Sequence, residues 1–91
     1  MIQSIYNRVQ EEGIVPVVEI EDVNQSVSLA TALLKGGIHC VEITFRTKQA
    51  ANAIKLIKER YPDMLVAAGT VLSIEQVDEA VKAGADFIVS P

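Results

Sequence analysis

Apolar residues along the chain alternate between short continuous runs and longer segments in which they recur every three or four positions. The continuous runs are Ile14–Ile20, Ile38–Phe45, Met64–Gly69 and Phe87–Val89. Short apolar runs bounded by turn residues are typical of buried strands, and the longer spacing is typical of amphipathic helices. The pattern therefore predicts successive βα units, which form a parallel sheet with right-handed crossovers.

The predicted helices each carry one apolar stripe that would cover a face of the sheet. The stripes are Val23, Val27, Ala30, Leu33 and Leu34; Ala50, Ala53, Ile54, Ile57 and Tyr61; and Val77, Ala80 and Val81. A leading helix with Ile2, Ile5 and Val9 on one side is predicted to end at Gly13.

Residues that favour helix ends lie between these segments. The predicted N-caps are Asp22, Thr47 and Ser73, and the predicted C-terminal glycines are Gly36, Gly37 and Gly84. Side chains such as Asp, Thr and Ser cap helix N-termini, and glycine adopts the left-handed conformation that often ends a helix. Glutamines three residues after Asp22 and Ser73 resemble capping boxes, and Pro62 is expected to stop the second helix.

The second predicted strand carries polar groups on one of its faces. Because side chains alternate along a strand, Val41, Ile43 and Phe45 share one face. The other face contains Cys40, Glu42, Thr44 and Arg46. Burying a carboxylate and a guanidinium is costly unless they are paired or solvated, so this face is expected to be polar for a functional reason.

Two architectures are compatible with the βα repeat: an open doubly wound sheet and a (β/α)₈ barrel. An open sheet with helices on both faces would bury Glu42 and Arg46 under a helix. A barrel instead collects such residues inside its mouth, at the carboxyl ends of the strands, where active sites form. We therefore expect residues 1–91 to form the N-terminal half of a single (β/α)₈ barrel domain, with a leading helix and the first four strands.

Composition narrows the functional classes. The chain has 91 residues, 49% of them hydrophobic, and a net charge of −4, which gives no reason to expect a nucleic acid or an anionic membrane as partner. No segment reaches the length of a membrane span, and residues 1–8 do not resemble a signal peptide. Cys40 is the single cysteine, which fits the reducing cytoplasm, and no cluster has the spacing of a metal site.

Five segments together resemble the N-terminal half of the Entner–Doudoroff class I aldolases, which act on 2-keto-3-deoxy-6-phosphogluconate (KDPG) and 4-hydroxy-2-oxoglutarate (KHG). These segments are Gly13–Val18, Leu33–Ile38, Val41–Thr47, Ala68–Leu72 and Gly84–Pro91. The block around Glu42, Thr44 and Arg46, combined with the block ending at Thr70, makes the resemblance specific.

The resemblance implies a TIM barrel, commonly a homotrimer, that cleaves 2-keto acids to pyruvate and an aldehyde through a lysine Schiff base, with no cofactor. It implies that Glu42 is the general acid/base. It also implies that Arg46 and Thr70 bind the pyruvyl carboxylate and its surroundings, and that Pro91 lines the pyruvyl pocket. Two positions depart from the family: Glu19 stands where many members have arginine, and Ala67 replaces a glycine.

The Schiff-base lysine is not expected among these residues. Every lysine of the chain falls on a predicted helix, at a helix end or in a loop: Lys35, Lys48, Lys55, Lys58 and Lys82. The resemblance places the reactive lysine on a later strand, so the 91 residues alone are expected to be inactive. The alternative hypothesis is a non-catalytic half-barrel module that assembles with another chain through its exposed strand edges.

Several residues also have purely structural interpretations. Glu42 could be paired with Arg46 or with a backbone group, since ion pairs also produce buried charges. Thr70 could simply begin the turn after its strand. His39 lies at the start of a strand, away from the mouth, and Cys40 is expected to be a small core residue rather than a nucleophile.

Overall fold

A computed structural model describes Gly13 and residues 15–90, and it contains the predicted βα repeat. The strands are β1 (Val17–Val18), β2 (Cys40–Thr44), β3 (Leu65–Gly69) and β4 (Phe87–Ile88). The helices are a 3₁₀ turn (Val23–Gln25), α1 (Ser26–Lys35), α2 (Ala50–Arg60) and α3 (Ile74–Ala83). The predicted leading helix and Pro91 lie outside the described residues.

The described strands form one parallel sheet in the order β1-β2-β3-β4. Each strand lies beside its successor in sequence, as expected of consecutive βα units in a barrel wall. In the register, Glu42 of β2 lies between Val17 of β1 and Ala67 of β3, and Thr44 lies opposite Gly69. The carboxyl ends of all these strands therefore meet at one edge.

The main core fills the space between the sheet and its helices. The outer face of β2 contributes Val41 and Ile43, which are completely buried. They belong to the same cluster as Ile54 and Ile57 of α2. Aliphatic burial of this kind stabilises by about 25 cal/mol per Å² of apolar surface removed from water. The alternation predicted for β2 is thus confirmed, because its apolar face points to the helices.

Small residues bring each helix close to the sheet. Ala30, Ala53 and Ala80, one on each of the three α-helices, have no exposed surface. A larger side chain at any of them would push the helix outward and open gaps in a core that is packed at high density.

Some helix ends follow the sequence prediction. Ser73 caps α3, its Oγ accepting a hydrogen bond from the Gln76 backbone N at 3.2 Å. Gly84 ends α3 in the left-handed conformation, with φ of 99°. Helix α2 ends at Arg60, two residues before Pro62.

The two other predicted N-caps have different outcomes: Asp22 is confirmed, at the 3₁₀ turn that leads into α1, whereas Thr47 is wrong. Helix α2 begins at Ala50 after Gln49, so Thr47 is not its N-cap. Instead, the Thr47 hydroxyl donates to the Ile20 carbonyl oxygen at 2.6 Å, because the end of β1 lies within its reach. Asp22 caps the short 3₁₀ turn through the Asn24 backbone N.

The stripe predicted for α3 is only partly buried. Ala80 packs in the core, whereas Val77 and Val81 are exposed, Val81 to 62%. Ile74 is 80% exposed and Leu72 is also exposed. The prediction that Val77 and Val81 cover the sheet is therefore wrong for the described part of the chain, since Ala80 and Ala83 are the residues of α3 that pack in or against the core, and Val77 and Val81 do not.

A polar clamp closes the opposite end of the sheet. Lys58 Nζ donates to the carbonyl oxygens of Pro62 and Met64, both at 2.8 Å, and to Asp86 Oδ2 at 2.9 Å. The same Asp86 oxygen accepts from the Val66 backbone N at 2.8 Å. The clamp ties the end of α2 to the beginnings of β3 and β4, far from the carboxyl ends of the strands.

Candidate active site at the carboxyl ends of the strands

The sheet brings the predicted site residues to one edge. Glu42 lies on the inner face of β2, the exposed Arg46 follows the same strand, and the half-buried Thr70 follows β3 directly. Neighbouring parallel strands in register place Thr44 beside Gly69, so the segments that follow these two residues leave the sheet side by side. The structure thus brings Glu42, Arg46 and Thr70 to the same region, while Pro91 lies outside the described residues.

The Glu42 side chain leans from β2 across β3. A β-carbon built on Gly69 would lie 2.6 Å from Glu42 Cδ and 2.8 Å from Cγ, and it would also overlap Glu42 Oε2. Such distances are much shorter than carbon–carbon contacts of about 3.5–4.0 Å. Gly69 has an ordinary strand conformation, so the carboxylate, and not the backbone, is what requires glycine at this position.

Glu42 and Arg46 are not paired. The ion pair that the structure contains among the described residues is Lys58–Asp86, and no salt bridge joins Glu42 to Arg46 within that part of the chain. The structural explanation for these two charges, a mutual ion pair, is therefore not supported. The half-buried Glu42 carboxylate and the exposed Arg46 guanidinium remain available to a ligand.

The loop that carries Arg46 is anchored on both sides. The Phe45 backbone N donates to the Gly69 carbonyl oxygen at 2.7 Å. Thr47 is bonded to Ile20, and Gln76 Nε2 makes a long hydrogen bond of 3.5 Å to the Phe45 carbonyl oxygen. These bonds hold the residues before and after Arg46, so its guanidinium projects from a fixed backbone.

Thr70 has an unusual backbone conformation. Its φ is 55°, in the left-handed region, and among the described residues it is the non-glycine residue with positive φ. For a β-branched side chain this conformation costs of order 1–3 kcal/mol. The turn is held on its far side, where the Val89 backbone N donates to the Ala68 carbonyl oxygen at 2.8 Å and Ser90 Oγ donates to the Val71 carbonyl oxygen at 3.2 Å. Such strain often accompanies functional sites.

Sequence reasoning did not identify two features of this edge. The Thr44 hydroxyl is buried without a hydrogen-bond partner, although strand alternation had placed it on the polar face. Glu19 lines a pocket of about 220 Å³ together with Val17, Thr44 and Arg46. Only the register between β1 and β2 could reveal that these residues share a pocket.

The remaining reactive groups lie elsewhere. Cys40 is completely buried, as predicted, and His39 is exposed at the opposite end of β2. A larger pocket of about 440 Å³ also opens at that opposite end, beside His39 and Tyr61, but parallel barrels carry their chemistry at the carboxyl ends of the strands. The described residues contain no group of His, Cys, Asp or Glu that could hold a metal ion.

The lysines agree with the sequence prediction. Lys35, Lys55, Lys58 and Lys82 are on helices, and Lys48 lies in the turn before α2. None of them extends from a strand of the described sheet. In addition, none of the described helices combines the length and apolar character needed to cross a bilayer.

The four-stranded parallel sheet, with its strands in sequential order and joined by helices, is the N-terminal part of a (β/α)₈ barrel. The family model for KDPG and KHG aldolase matches residues 5–91, and the chain belongs to that family. The family and fold indicated by the sequence are therefore confirmed.

Curated relatives match most of this chain. The 2-dehydro-3-deoxy-phosphogluconate aldolase of Treponema pallidum is 48% identical over 88 residues, which is 97% of this chain and 42% of that protein. The enzyme of the same name from Haemophilus influenzae is 46% identical, over 98% of this chain and 42% of its own length. The chain thus spans about two fifths of the length of these relatives and corresponds to their N-terminal part.

Solved structures agree. The KDPG aldolase of Legionella pneumophila, with pyruvate captured as a covalent carbinolamine intermediate, superposes with a TM-score of 0.80 at 43% identity. The match covers 85% of this chain and 37% of that one. The 2-keto-3-deoxy-6-phospho-gluconate aldolase of Zymomonas mobilis gives a TM-score of 0.78 at 45% identity, with the same coverage.

Proposed function

We propose that these residues supply the acid–base and carboxylate-binding part of a class I aldolase active site, in a protein that cleaves KDPG, KHG or both. The products would be pyruvate and either glyceraldehyde 3-phosphate or glyoxylate. The observation that carries the proposal is the Glu42 carboxylate, which lies unpaired on the inner face of β2 and reaches over Gly69 toward the edge where Arg46 and Thr70 emerge.

Glu42 is proposed as the proton-transfer group. Cleavage of a Schiff-base adduct removes a proton from the C4 hydroxyl as the C3–C4 bond breaks, and the pyruvyl enamine then takes up a proton at C3. One carboxylate can accept the proton from the C4 hydroxyl and then donate a proton to C3. Such general acid–base catalysis increases the rate by about 10²- to 10⁴-fold. The absence of an ion pair between Glu42 and Arg46 among the described residues supports this role, because the carboxylate oxygens stay available to a substrate.

Arg46 and Thr70 are proposed to bind the carboxylate of the keto acid. A guanidinium presents two parallel N–H donors that match a carboxylate, a geometry that lysine does not reproduce. The anchored loop around Arg46 and the fixed turn at Thr70 favour such binding, because little side-chain and backbone freedom is lost when a ligand binds. Pro91 is proposed to line the same pocket.

The Schiff-base lysine is proposed to come from a later strand of the barrel, outside these residues. The Legionella pneumophila relative was captured with pyruvate as a covalent carbinolamine, which supports this chemistry for the family. All five lysines of this chain lie on helices or in a loop, which supports the assignment of the Schiff-base lysine to a later strand.

Borohydride trapping with pyruvate tests the proposal. The 91-residue chain is compared with a complete barrel, defined here as these 91 residues joined to the remaining part of the Treponema pallidum relative. Mass spectrometry should detect a reduced pyruvyl adduct on the complete barrel and none on the 91-residue chain. An adduct on the short chain would contradict the assignment of the lysine, and a complete barrel that neither forms an adduct nor cleaves either substrate would contradict the function.

The complete protein is further proposed to be a cytoplasmic homotrimer. A cube-shaped cage designed by fusing symmetric oligomeric domains matches this chain with a TM-score of 0.75 at 31% identity, which supports self-association of the fold. Sedimentation equilibrium of the complete barrel tests the proposal, and a mass other than three times that of one chain would contradict it.

A non-catalytic half-barrel module is the second candidate, and it is favoured by the exposed flank of α3. Leu72, Ile74 and Val81 are each more than 60% exposed, and Leu72 and Ile74 line one surface pocket, so this apolar surface supports an interaction with another chain. If the flank pairs with a second copy, the 91-residue chain should sediment as a dimer. Ile74→Lys with Val81→Lys should then give monomers, whereas Glu75→Lys on the same helix should not.

A further inference from the structure

The Thr44 hydroxyl differs from that of Ser26, the other hydroxyl residue that is buried in the described part of the chain. Thr44 is only 5% exposed, and its Oγ1 is the buried side-chain polar atom without a hydrogen-bond partner in the part of the chain that the structure describes. The hydroxyls of Ser26 and of the half-buried Thr31 and Thr47 are bonded to backbone carbonyl oxygens, those of Val23, Val27 and Ile20.

An unpaired buried hydroxyl works against folding. Its desolvation is unfavourable, whereas an apolar group of the same shape would avoid this cost. Valine has that shape and, like threonine, is β-branched and favours strands. Stability alone therefore favours valine at position 44, and a partner for the hydroxyl has to come from outside the residues that the structure describes.

Thr44 lies where such a partner can bind. It follows Glu42 and precedes Arg46 on the inner face of β2, and it lines the 220 Å³ pocket with Val17, Glu19 and Arg46. Rotation of the Thr44 side chain about its Cα–Cβ bond exchanges the positions of its methyl and hydroxyl groups. A change of this one torsion angle therefore decides which of the two groups faces the pocket.

The charges in the pocket select the chemistry of the ligand. Glu19 and Arg46 carry opposite charges and are both exposed, so a second carboxylate would be repelled by Glu19 and an ammonium by Arg46. A hydroxyl group donates one hydrogen bond and accepts others. It can therefore donate to Glu19 and accept from Arg46 or Thr44.

We propose that the pocket formed by Val17, Glu19, Thr44 and Arg46 binds an uncharged, hydroxyl-bearing part of the substrate's aldehyde half, with Thr44 as a hydrogen-bonding partner. This inference rests on the proposed aldolase function. It assigns a specificity role to Thr44, while the pyruvyl half of the substrate is handled by Glu42, Thr70 and the carboxylate-facing N–H groups of Arg46.

Three reactions of the complete barrel separate the two halves of the substrate. Exchange of the pyruvate methyl protons in D₂O uses the pyruvyl half alone. Cleavage of 4-hydroxy-2-oxobutanoate adds an aldehyde half with no further hydroxyl, and cleavage of 2-keto-3-deoxygluconate adds one with two further hydroxyls and no phosphate. Each is measured for the parent protein, Thr44→Val and Thr44→Ser, together with the thermal unfolding midpoint.

Thr44→Val should lower kcat/KM for 2-keto-3-deoxygluconate by about two- to tenfold, the loss expected for one hydrogen bond to a neutral group. Pyruvate exchange and 4-hydroxy-2-oxobutanoate cleavage should be unchanged, and the unfolding midpoint should stay equal or rise. Thr44→Ser, which keeps the hydroxyl, should retain the parent preference among the substrates.

Other outcomes overturn the proposal. An equal loss in all three reactions would place Thr44 in the pyruvyl half, and no loss in any of them would remove it from binding. A lower unfolding midpoint for Thr44→Val would show that the hydroxyl has a structural partner. If the complete barrel without any substitution showed neither pyruvate exchange nor cleavage, the proposed aldolase function itself would be contradicted. This failure is distinct from the others because it is seen before Thr44 is substituted.

Discussion

The Glu42 carboxyl group occupies the space that a side chain on Gly69 would need. The β-carbon position of Gly69 lies 2.6 Å from Glu42 Cδ, although the two residues are on different strands and are separated by two positions in the register. Glycine is not required here by backbone conformation. Because Gly69 of β3 has no side chain, the carboxyl group of Glu42, the proposed acid–base residue of β2, can lie over β3.

Gly69→Ala should reduce turnover without unfolding the protein. The added methyl would displace the flexible end of Glu42, a movement that costs little stability, while the carboxylate would leave its position over β3. Because misplacement of a catalytic group by about 1 Å can cost about 10²-fold, we expect kcat of the complete barrel to fall at least tenfold.

Gly36→Ala is the matched control for Gly69→Ala. A β-carbon at Gly36 would meet only backbone oxygens at 3.5 and 3.6 Å, which are ordinary contacts, and Gly36 lies at the end of α1. Its kcat should equal that of the parent. A Gly69→Ala protein with parental kcat would show that the position of Glu42 is not set by the missing side chain.

Glu42→Gln tests proton transfer directly. Glutamine keeps the shape of the side chain but cannot take up and return a proton, so kcat should fall by about 10²- to 10⁴-fold. Since no ion pair of Glu42 is present among the described residues, the thermal midpoint should stay within a few degrees of the parent value. Near-normal kcat would exclude the catalytic role, and a large loss of stability would favour a structural one.

Two substitutions at Thr70 separate backbone strain from ligand binding. Asparagine tolerates the left-handed conformation better than a β-branched residue, so Thr70→Asn should raise the free energy of unfolding by about 1 kcal/mol. Thr70→Val keeps the branch and the strain and should not. Both lack the threonine hydroxyl, so both should weaken pyruvate binding, measured by the pyruvate dependence of borohydride trapping. If the substitutions change stability but not pyruvate binding, Thr70 is a structural turn residue.

The Lys58–Asp86 clamp should matter for stability and not for chemistry. Lys58→Met would leave two carbonyl oxygens and a carboxylate without their shared donor in a partly buried site. We expect a loss of about 2 kcal/mol of unfolding free energy in urea denaturation, with kcat unchanged under native conditions. Lys55→Met, on the exposed face of the same helix, should change stability by less than about 0.5 kcal/mol. An equal effect of both substitutions would argue against the clamp.

The sequence by itself determined the order of the elements, the family and the polar face of β2. Periods of two and of three to four residues reflect local backbone geometry, so alternation alone separated Val41, Ile43 and Phe45 from Glu42, Thr44 and Arg46. The predicted elements also placed every lysine of the chain outside the strands. The stripe on α3 was overestimated, because periodicity identifies an apolar face but not the element that covers it.

The tertiary structure decided which residues of different strands lie next to each other. Register between β1, β2 and β3 brings Glu19 to the pocket of Thr44 and Arg46, and it sets Glu42 over Gly69. The missing partner of the Thr44 hydroxyl and the strained φ of Thr70 are likewise properties of packed neighbours and of the assembled turn. These relationships join residues far apart along the chain, and their distances follow from strand pairing rather than from local preference.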